Sequence, residues 1–437
     1  MKGGTAMTVG ASPLTLDDIN LPEMAFWEKP PAHRERVFAM LRAQPHPVFF
    51  DEQKMPFMRK GNGFYALVKH ADVTEASRNP AVFSSEPCST YIQDMLPYIA
   101  RYFGSIINMD DPRHGRIRRI VSRAFTPRVL AKMEEDLQAS ARRIVDDLIA
   151  KGPCDFVTNV AALLPVQVIC DMMGVPEEKR EMVFHHTNIV LGWSDPEYTG
   201  FTADFGRWQM ARTLASLVRV GHELHRMAMG LGRDRRRAAA AGDPPGDLTT
   251  ALVTANVDGE KLTDQELGSF FILLLVAGSE TTRNAISHGL KLLTDNPRQR
   301  ALLMEDFDAR IGGALEEILR ICTPVIYFRR TLARDFVLNG FPLKSGDKVL
   351  LFYNSANRDE AVFDHPDEFD ITRTDIPHVA FGAPGPHFCL GTHLARREMT
   401  VMFRELLTRL PEIKATGEPD RLLSNFINGI KHMDCTW

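Results

Sequence analysis

The sequence predicts a mainly α-helical fold with small β-sheets. Three observations lead there. Helical apolar spacing recurs along most of the chain, one such pattern runs unbroken from Thr263 to Leu293, and strand-like runs are confined to short patches.

Taken in order, residues 33–42 have the spacing of an amphipathic helix. Gly63-Phe64-Tyr65-Ala66-Leu67-Val68 reads as a short strand leading into a helix over 71–78. Helical patterns follow over 116–125, 129–150 and 248–256, and a second strand patch joins 336–338 to 348–352 around a turn at Lys344-Ser345-Gly346. Neither a long linker nor an internal repeat divides the chain, so residues 1–437 are expected to form one domain, with 1–15 disordered.

The pattern from Thr263 predicts the longest helix. Thr263-Asp264-Gln265-Glu266 matches a capping box, in which the threonine oxygen and the glutamate each satisfy a backbone N–H that the first helical turn leaves unpaired. Apolar residues continue through Phe270-Phe271-Ile272-Leu273-Leu274-Leu275-Val276, and Asn296-Pro297 stops the run. About thirty residues at ~1.5 Å each span roughly 45 Å, enough to cross a domain as a buried axle.

Composition narrows the function classes. Hydrophobic residues at 44% and charged residues at 25% belong to a folded globular chain rather than a disordered one. A net charge of −4 provides no global basic field for nucleic acid. The densest basic run, Arg233, Arg235, Arg236 and Arg237, precedes an alanine tract and Gly242-Asp243-Pro244-Pro245-Gly246, as a solvated helix end would. The first residues lack the apolar core of a signal peptide, and the apolar stretch at 270–277 is far shorter than the ~20 residues of a membrane span. A cytoplasmic protein without a membrane span is expected. The six cysteines show no CxxC spacing, which disfavours zinc and iron–sulfur sites, so any one that binds metal does so alone.

Four segments carry chemistry. Ala277-Gly278-Ser279-Glu280-Thr281-Thr282 interrupts the apolar helix, where Gly278 alone weakens helicity by about 1 kcal/mol. A mid-helix threonine bonds the carbonyl four residues back, which at Thr281 is that of Ala277, and so makes local room for a small ligand or water. A helix that surfaces here explains the same residues. Further on, Phe381-Gly382-Ala383-Pro384-Gly385-Pro386-His387-Phe388-Cys389-Leu390-Gly391 precedes a helical run over 392–410. That position places Cys389 near a helix N-terminus, where unpaired N–H groups and the macrodipole favour a thiolate able to ligate metal. Gly385 and Gly391 permit close approach of a flat group and Phe381 is placed to cover the sulfur, although a merely buried cysteine on a tight turn fits too. Glu317 and Arg320 share one helix face, and so do His114 and Arg118, a pair able to clamp a carboxylate.

The ordered set, His-x-x-x-Arg, Ala-Gly-x-Glu-Thr-Thr, Glu-x-x-Arg and the cysteine loop, resembles the cytochrome P450 family over nearly the whole chain. Phe328-Arg329-Arg330-Thr331 after Pro324, and Asn357-Arg358-Asp359 followed by Phe363, Pro366, Phe369 and Arg373, extend the likeness. One departure stands out: Phe381 is eight residues before Cys389 where seven are usual, with Pro384 where glycine is commoner.

The resemblance implies a cytochrome P450 fold around a buried haem b (iron protoporphyrin IX), with Cys389 as the axial metal ligand. It implies proton relay by Glu280 and Thr281, an oxygen groove at Ala277 and Gly278, and propionate contacts from His114, Arg118, Arg330 and His387. Phe381 and Gly391 complete the cofactor set, while Glu317 and Arg320, paired with Arg373, have a structural role. The activity implied is hydroxylation of an apolar small molecule by O2 and reductant. A peroxygenase, or a haem sensor or electron carrier, would not need the acid–alcohol pair. The chain holds no flavin or nicotinamide motif, so electrons are expected from a separate ferredoxin and ferredoxin reductase, docking on Arg116, Arg119, Arg123, Arg396 and Arg397. The family's substrate-contact regions correspond to Tyr91, Met95, Leu96, Ile99, Phe103, Leu191, Trp193, Leu274, Val325, Ile326 and Phe426. Thr281–Gly289 and Ser424–Lys431 are similar to the phrases of bacterial members that oxidise steroids and methyl-branched lipids.

Overall fold

The computed structural model describes residues 15–437 except 59, 126–132, 203–204 and 257–258, and leaves aside the side chains of 123 and 124. The disorder expected of the N-terminus therefore falls, but for Thr15, outside the described residues. The principal helices are α1 (Pro31–Arg42), α2 (His70–Arg78), α3 (Pro97–Phe103), α4 (Arg113–Val121), α5 (Glu134–Lys151), α6 (Leu163–Met173), α7 (Arg180–Leu191), α8 (Arg207–Ala240), α9 (Leu248–Thr254), α10 (Asp264–Asp295), α11 (Pro297–Glu305), α12 (Phe307–Cys322) and α13 (Thr392–Arg409). The strands are short: β1 (Val48–Phe50), β2 (Phe64–Leu67), β3 (Phe83–Ser84), β4 (Cys154–Asp155), β5 (Tyr327–Leu332), β6 (Phe336–Leu338), β7 (Phe341–Leu343), β8 (Lys348–Phe352), β9 (Lys414–Ala415), β10 (Asp420–Arg421), β11 (Ile430–His432) and β12 (Asp434–Thr436).

Helix α10 starts at the expected capping box: Glu266 N donates to Thr263 Oγ1 at 3.2 Å and Thr263 N to Glu266 Oε2 at 2.9 Å. Phe270, Phe271, Leu275, Ile286 and Leu290 are buried, and the helix packs against α3, α6, α7, α8, α12 and α13. It is the axle of the fold but not its longest helix, which is α8, at 34 residues against 32. Its buried face, Met210, Thr213, Leu217, Val220, Gly221, Leu224, Ala228 and Gly232, repeats every three or four residues. Small residues thin the apolar signal there because neighbours come close: a Cβ on Gly221 would meet Tyr102 and one on Gly232 would meet Leu267.

The larger sheet has the order β1-β2-β8-β5-β3, with β2 and β8 parallel and the other pairs antiparallel. The expected hairpin joining 336–338 to 348–352 is corrected here. β6 pairs with β7, turning at Asn339 and Gly340, both at positive φ, and β8 joins β2 and β5 instead. Asn and Gly tolerate the left-handed region that this tight turn demands.

A buried ionic knot fixes the chain that leads to the cysteine loop. Arg320, with no exposed surface, donates to both oxygens of Glu317 at 2.7 Å and to the carbonyls of Asn357, Pro366 and Glu368 at 2.7–3.0 Å. Glu317 Oε1 also accepts from Asp370 N at 3.0 Å and Arg373 Nε at 3.2 Å. With all five N–H groups of Arg320 and both oxygens of Glu317 engaged, α12 holds residues 357–373 in one path.

Candidate active site

The cysteine loop is built on backbone contacts. Cys389 N donates to Phe381 O at 2.9 Å, Gly382 has φ of +85°, and Phe388 N donates to Gly385 O at 3.2 Å. The added length lies against α2, where Ser77 Oγ donates to Ala383 O at 3.1 Å and a Cβ on Gly385 would strike the Ser77 carbonyl. Helix α13 begins at Thr392 with Gly391 as its cap, so Cys389 sits just outside the first turn. Its sulfur opens onto a large cavity, while protein surrounds the residue on its other sides. Burial pushes the thiol up from its ordinary value, against the Gly391 N–H and the charges of Arg118 and Arg396. Burial thus opposes the pull of the helix end, and a bound metal ion would favour the thiolate. Phe381 lines the same cavity and stacks under Arg396, whose guanidinium carbon is 4.6 Å from the ring centroid.

Basic groups gather on one side of this cavity. His114, Arg118 and His387 line it, and the rings of His114 and His387 lie 4.2 Å apart. Arg330 is buried behind them, its Nη1 donating to Arg329 O at 2.8 Å. Burial, then Arg330, His114 and Arg118, push the His387 imidazole down to about 2, and burial and Arg118 lower His114. Asp111 is 3.6 Å from His114. Among the described residues, neither Arg118 nor Arg330 has a carboxylate within 4.0 Å. Two arginines without a carboxylate, beside two imidazoles, fit the propionates of a haem, as the open cysteine fits its iron.

Helix α10 forms the opposite wall. Thr281 Oγ1 donates to Ala277 O at 2.8 Å, as expected, without breaking the helix. Ala277, Gly278 and Thr281 line the cavity, and a Cβ on Gly278 would also press on Ile169 of α6 at 3.0 Å, so its smallness serves helix packing too. Glu280 is not on the wall. It is 1% exposed and ion-pairs with Arg283, whose Nη1 donates to Asn188 Oδ1 of α7 at 2.6 Å. Burial raises its pKa, opposed by the charge of Arg283.

The acid that does stand on the wall escaped the sequence reading. Glu398 of α13 lines the cavity at 1% exposure beside Thr282, and its Oε2 has no protein partner. Burial raises its pKa well above the ordinary carboxyl value, which favours the protonated form. Only its helical position, about two turns into α13 and directly after Arg396 and Arg397, was visible in the sequence, and that looks like a solvated face.

A second chamber, lined by no charged residue, adjoins the first, and Ile107, Leu273, Ala277, Thr281, Val325 and Phe328 belong to the walls of both. Of the expected contacts, Tyr91, Phe103, Leu191, Trp193, Val325 and Phe426 line this chamber and Leu274 the cysteine-side cavity. Met95, Leu96, Ile99 and Ile326 are corrected: none is on either wall. Met95, Leu96 and Ile99 pack into the helical core, and Ile326 is buried against the sheet. Phe328, Ile272 and Val276 were missed.

The expected basic docking face is largely neutralised. Arg116 pairs with Glu260 at 3.1 Å and with Glu266, Arg396 with Glu316 at 2.5 Å, and Arg397 with Glu134 at 2.5 Å. Arg119 is exposed, and the side chain of Arg123 lies outside the described residues. No helix among the described residues is long and apolar enough to cross a membrane.

Comparison with known proteins agrees with this geometry. The family model described as Cytochrome P450 matches residues 100–422. The chain is 46% identical to the methyl-branched lipid omega-hydroxylase of Mycobacterium tuberculosis, over 96% of this chain and 95% of that one. It is 37% identical to the steroid C26-monooxygenase of the same organism, over 96% and 94%. A solved structure of a Mycobacterium marinum cytochrome P450 in complex with pseudoionone superposes with a TM-score of 0.89 at 40% identity, covering 98% of this chain and all of that one. With a cysteine open to a cavity that has histidines and unpaired arginines on one side, and with relatives matched over nearly their full length, the chain belongs to the cytochrome P450 family of haem-thiolate monooxygenases.

Proposed function

We propose that this enzyme uses haem b to hydroxylate an extended apolar molecule of the methyl-branched lipid or steroid class, with electrons from a separate ferredoxin. The observation that carries the reading is the chamber beside Thr281. Phe103, Leu191, Trp193, Val276, Phe328 and Phe426 surround it, and its few polar groups come from Thr90, Tyr91, Ser269, Asn425 and Thr281. Such a wall favours ligands by roughly 25 cal/mol per Å² of apolar surface buried. The names of the relatives support the same class.

Cys389 would hold the iron, and His114, Arg118, Arg330 and His387 the propionates. The haem supplies oxygen activation at its iron. Thr281 keeps its hydroxyl proton towards the Ala277 carbonyl on the wall shared by both chambers. Glu280 serves as proton donor only after its carboxyl parts from Arg283, whereas burial favours the protonated form of Glu398 at the wall. A cytoplasmic site suits this carrier-dependent chemistry.

The test is a spectral titration of the haem-loaded protein with a methyl-branched fatty acid, a steroid and a small polar aromatic, followed by product analysis with reductant and with peroxide. The apolar ligands should shift the iron from low to high spin and be hydroxylated with reductant. A shift by the polar compound alone refutes the substrate class, and loss of nothing in the reduced carbon monoxide band of Cys389→Ser refutes the ligand.

A further inference from the structure

A second cavity of about 210 Å³ lies between α1, the C-terminal half of α10 and the β10–β11 hairpin, and shares no lining residue with the two chambers just described. Four cations face it. Two are already matched: Lys291 Nζ donates to Asp295 at 2.6 Å, and Arg358 meets Glu35 at 3.0 Å and Asp367 at 2.9 Å. Arg34 and Arg421 are not. Among the described residues, neither has a carboxylate within 4.0 Å or a side-chain hydrogen bond.

Their placement is costly unless something compensates it. Burial and the charge of Arg421 bring Arg34 down to about 10, and burial with Arg421 holds the neighbouring His288 to about 3, hence neutral. His288 Nε2 donates to Asn428 O at 3.0 Å, which fixes the ring. Glu35 bears on both arginines but is engaged by Arg358; on Arg421 alone Glu418 and Asp295 also act, Asp295 being held by Lys291, and none of the three comes within 4.0 Å of either arginine. Arg34 is held in place, its guanidinium carbon 5.9 Å over the Trp27 ring. Two partly buried like charges converging on an open space form an anion receptor, and planar guanidinium forks match the oxygens of phosphate and carboxylate groups.

We propose that this cavity is a second binding site, taking a small oxyanion, a phosphate or carboxylate group, between Arg34 and Arg421. The occupant removes the repulsion between the two arginines and is held by charge-assisted hydrogen bonds from both.

Calorimetric titration of the haem-loaded full chain with inorganic phosphate, and separately with acetate, at ionic strength fixed with sodium chloride, tests the site. At least one anion should saturate at one equivalent, and which one does so separates a phosphoryl from a carboxylate occupant. Arg34→Gln with Arg421→Gln should weaken it about tenfold or more. Arg36→Gln, exposed on the same helix, should bind as the parent does. An unchanged carbon monoxide band certifies the fold of each variant, and Arg421→Gln alone carries the test if the double variant loses haem. Absence of saturation with both anions, equal affinity without the two arginines, or equal loss in Arg36→Gln overturns the proposal.

Discussion

Glu280 and Arg283 form an ion pair one turn apart on α10, at 1% and 3% exposed, outside the walls of both chambers. Each needs the other. Arg283→Ala strands a carboxylate in a dry setting and should cost about 3–5 kcal/mol in urea unfolding of the haem-loaded protein. Glu280→Gln combined with Arg283→Ala should recover part of that loss. Glu280→Gln alone should retain the carbon monoxide band and slow turnover. If turnover is unchanged, Glu280 only stabilises the helix contact with α7.

Glu398 gives a prediction in pH. Its folded pKa is raised above 4.5, the value of an ordinary glutamate. Below that value both states carry the proton. Above it the unfolded chain ionises while the fold keeps its proton, so stability falls as pH rises, until the folded carboxyl ionises as well. Glu398→Gln escapes this loss. Its stability relative to the parent should climb from about pH 4.5 by up to roughly 1.4 kcal/mol per pH unit before levelling off. Unfolding midpoints across a pH series measure this, and parallel curves would show that the acid is not buried protonated.

Arg320 ties α12 to the 357–373 path through three carbonyls while two further bonds hold it to Glu317 on its own helix, and its loss should reach the haem. Arg320→Ala leaves Glu317 with Arg373 as its remaining cation and should destabilise by about 3–5 kcal/mol, lowering haem content in the same preparation. Arg320→Lys should rescue little, because an ammonium cannot span two carboxylate oxygens and three carbonyls. Haem-to-protein absorbance is the measure.

Much of this architecture was legible in the sequence where local chemistry is distinctive. The capping box gave the start of α10, and the Gly/Pro-rich loop before α13 gave Cys389. What was not legible depended on orientation. Val325 faces the chambers and Ile326 the sheet, because successive residues in extended chain point opposite ways. Phe103 faces the apolar chamber whereas Ile99, four residues earlier, is packed in the core; a segment's apolar content does not reveal where the chain bends or which groove a side chain fills. Glu398 was hidden for a related reason: a carboxyl on a helix with Arg396 and Arg397 beside it looks solvated until α10 is packed over it.

Phe426 offers the sharpest test of the apolar chamber. Its backbone is fixed, with the carbonyl accepting from Ile326 N at 2.8 Å, and its ring sits edge-on to Tyr327 at 5.6 Å and Phe328 at 5.7 Å. The side chain is therefore a preset wall rather than a part that a ligand must order. Phe426→Ala removes apolar contact without freeing the backbone, and at about 1.4 kcal/mol lost the dissociation constant of an apolar ligand rises roughly tenfold. Met95→Ala, off both walls, should leave that constant within about twofold of the parent, since only packing at a distance is altered. Spin-shift titrations of the three proteins with one ligand decide the matter, and equal weakening by both substitutions would mean that general loosening, not contact with Phe426, sets the affinity.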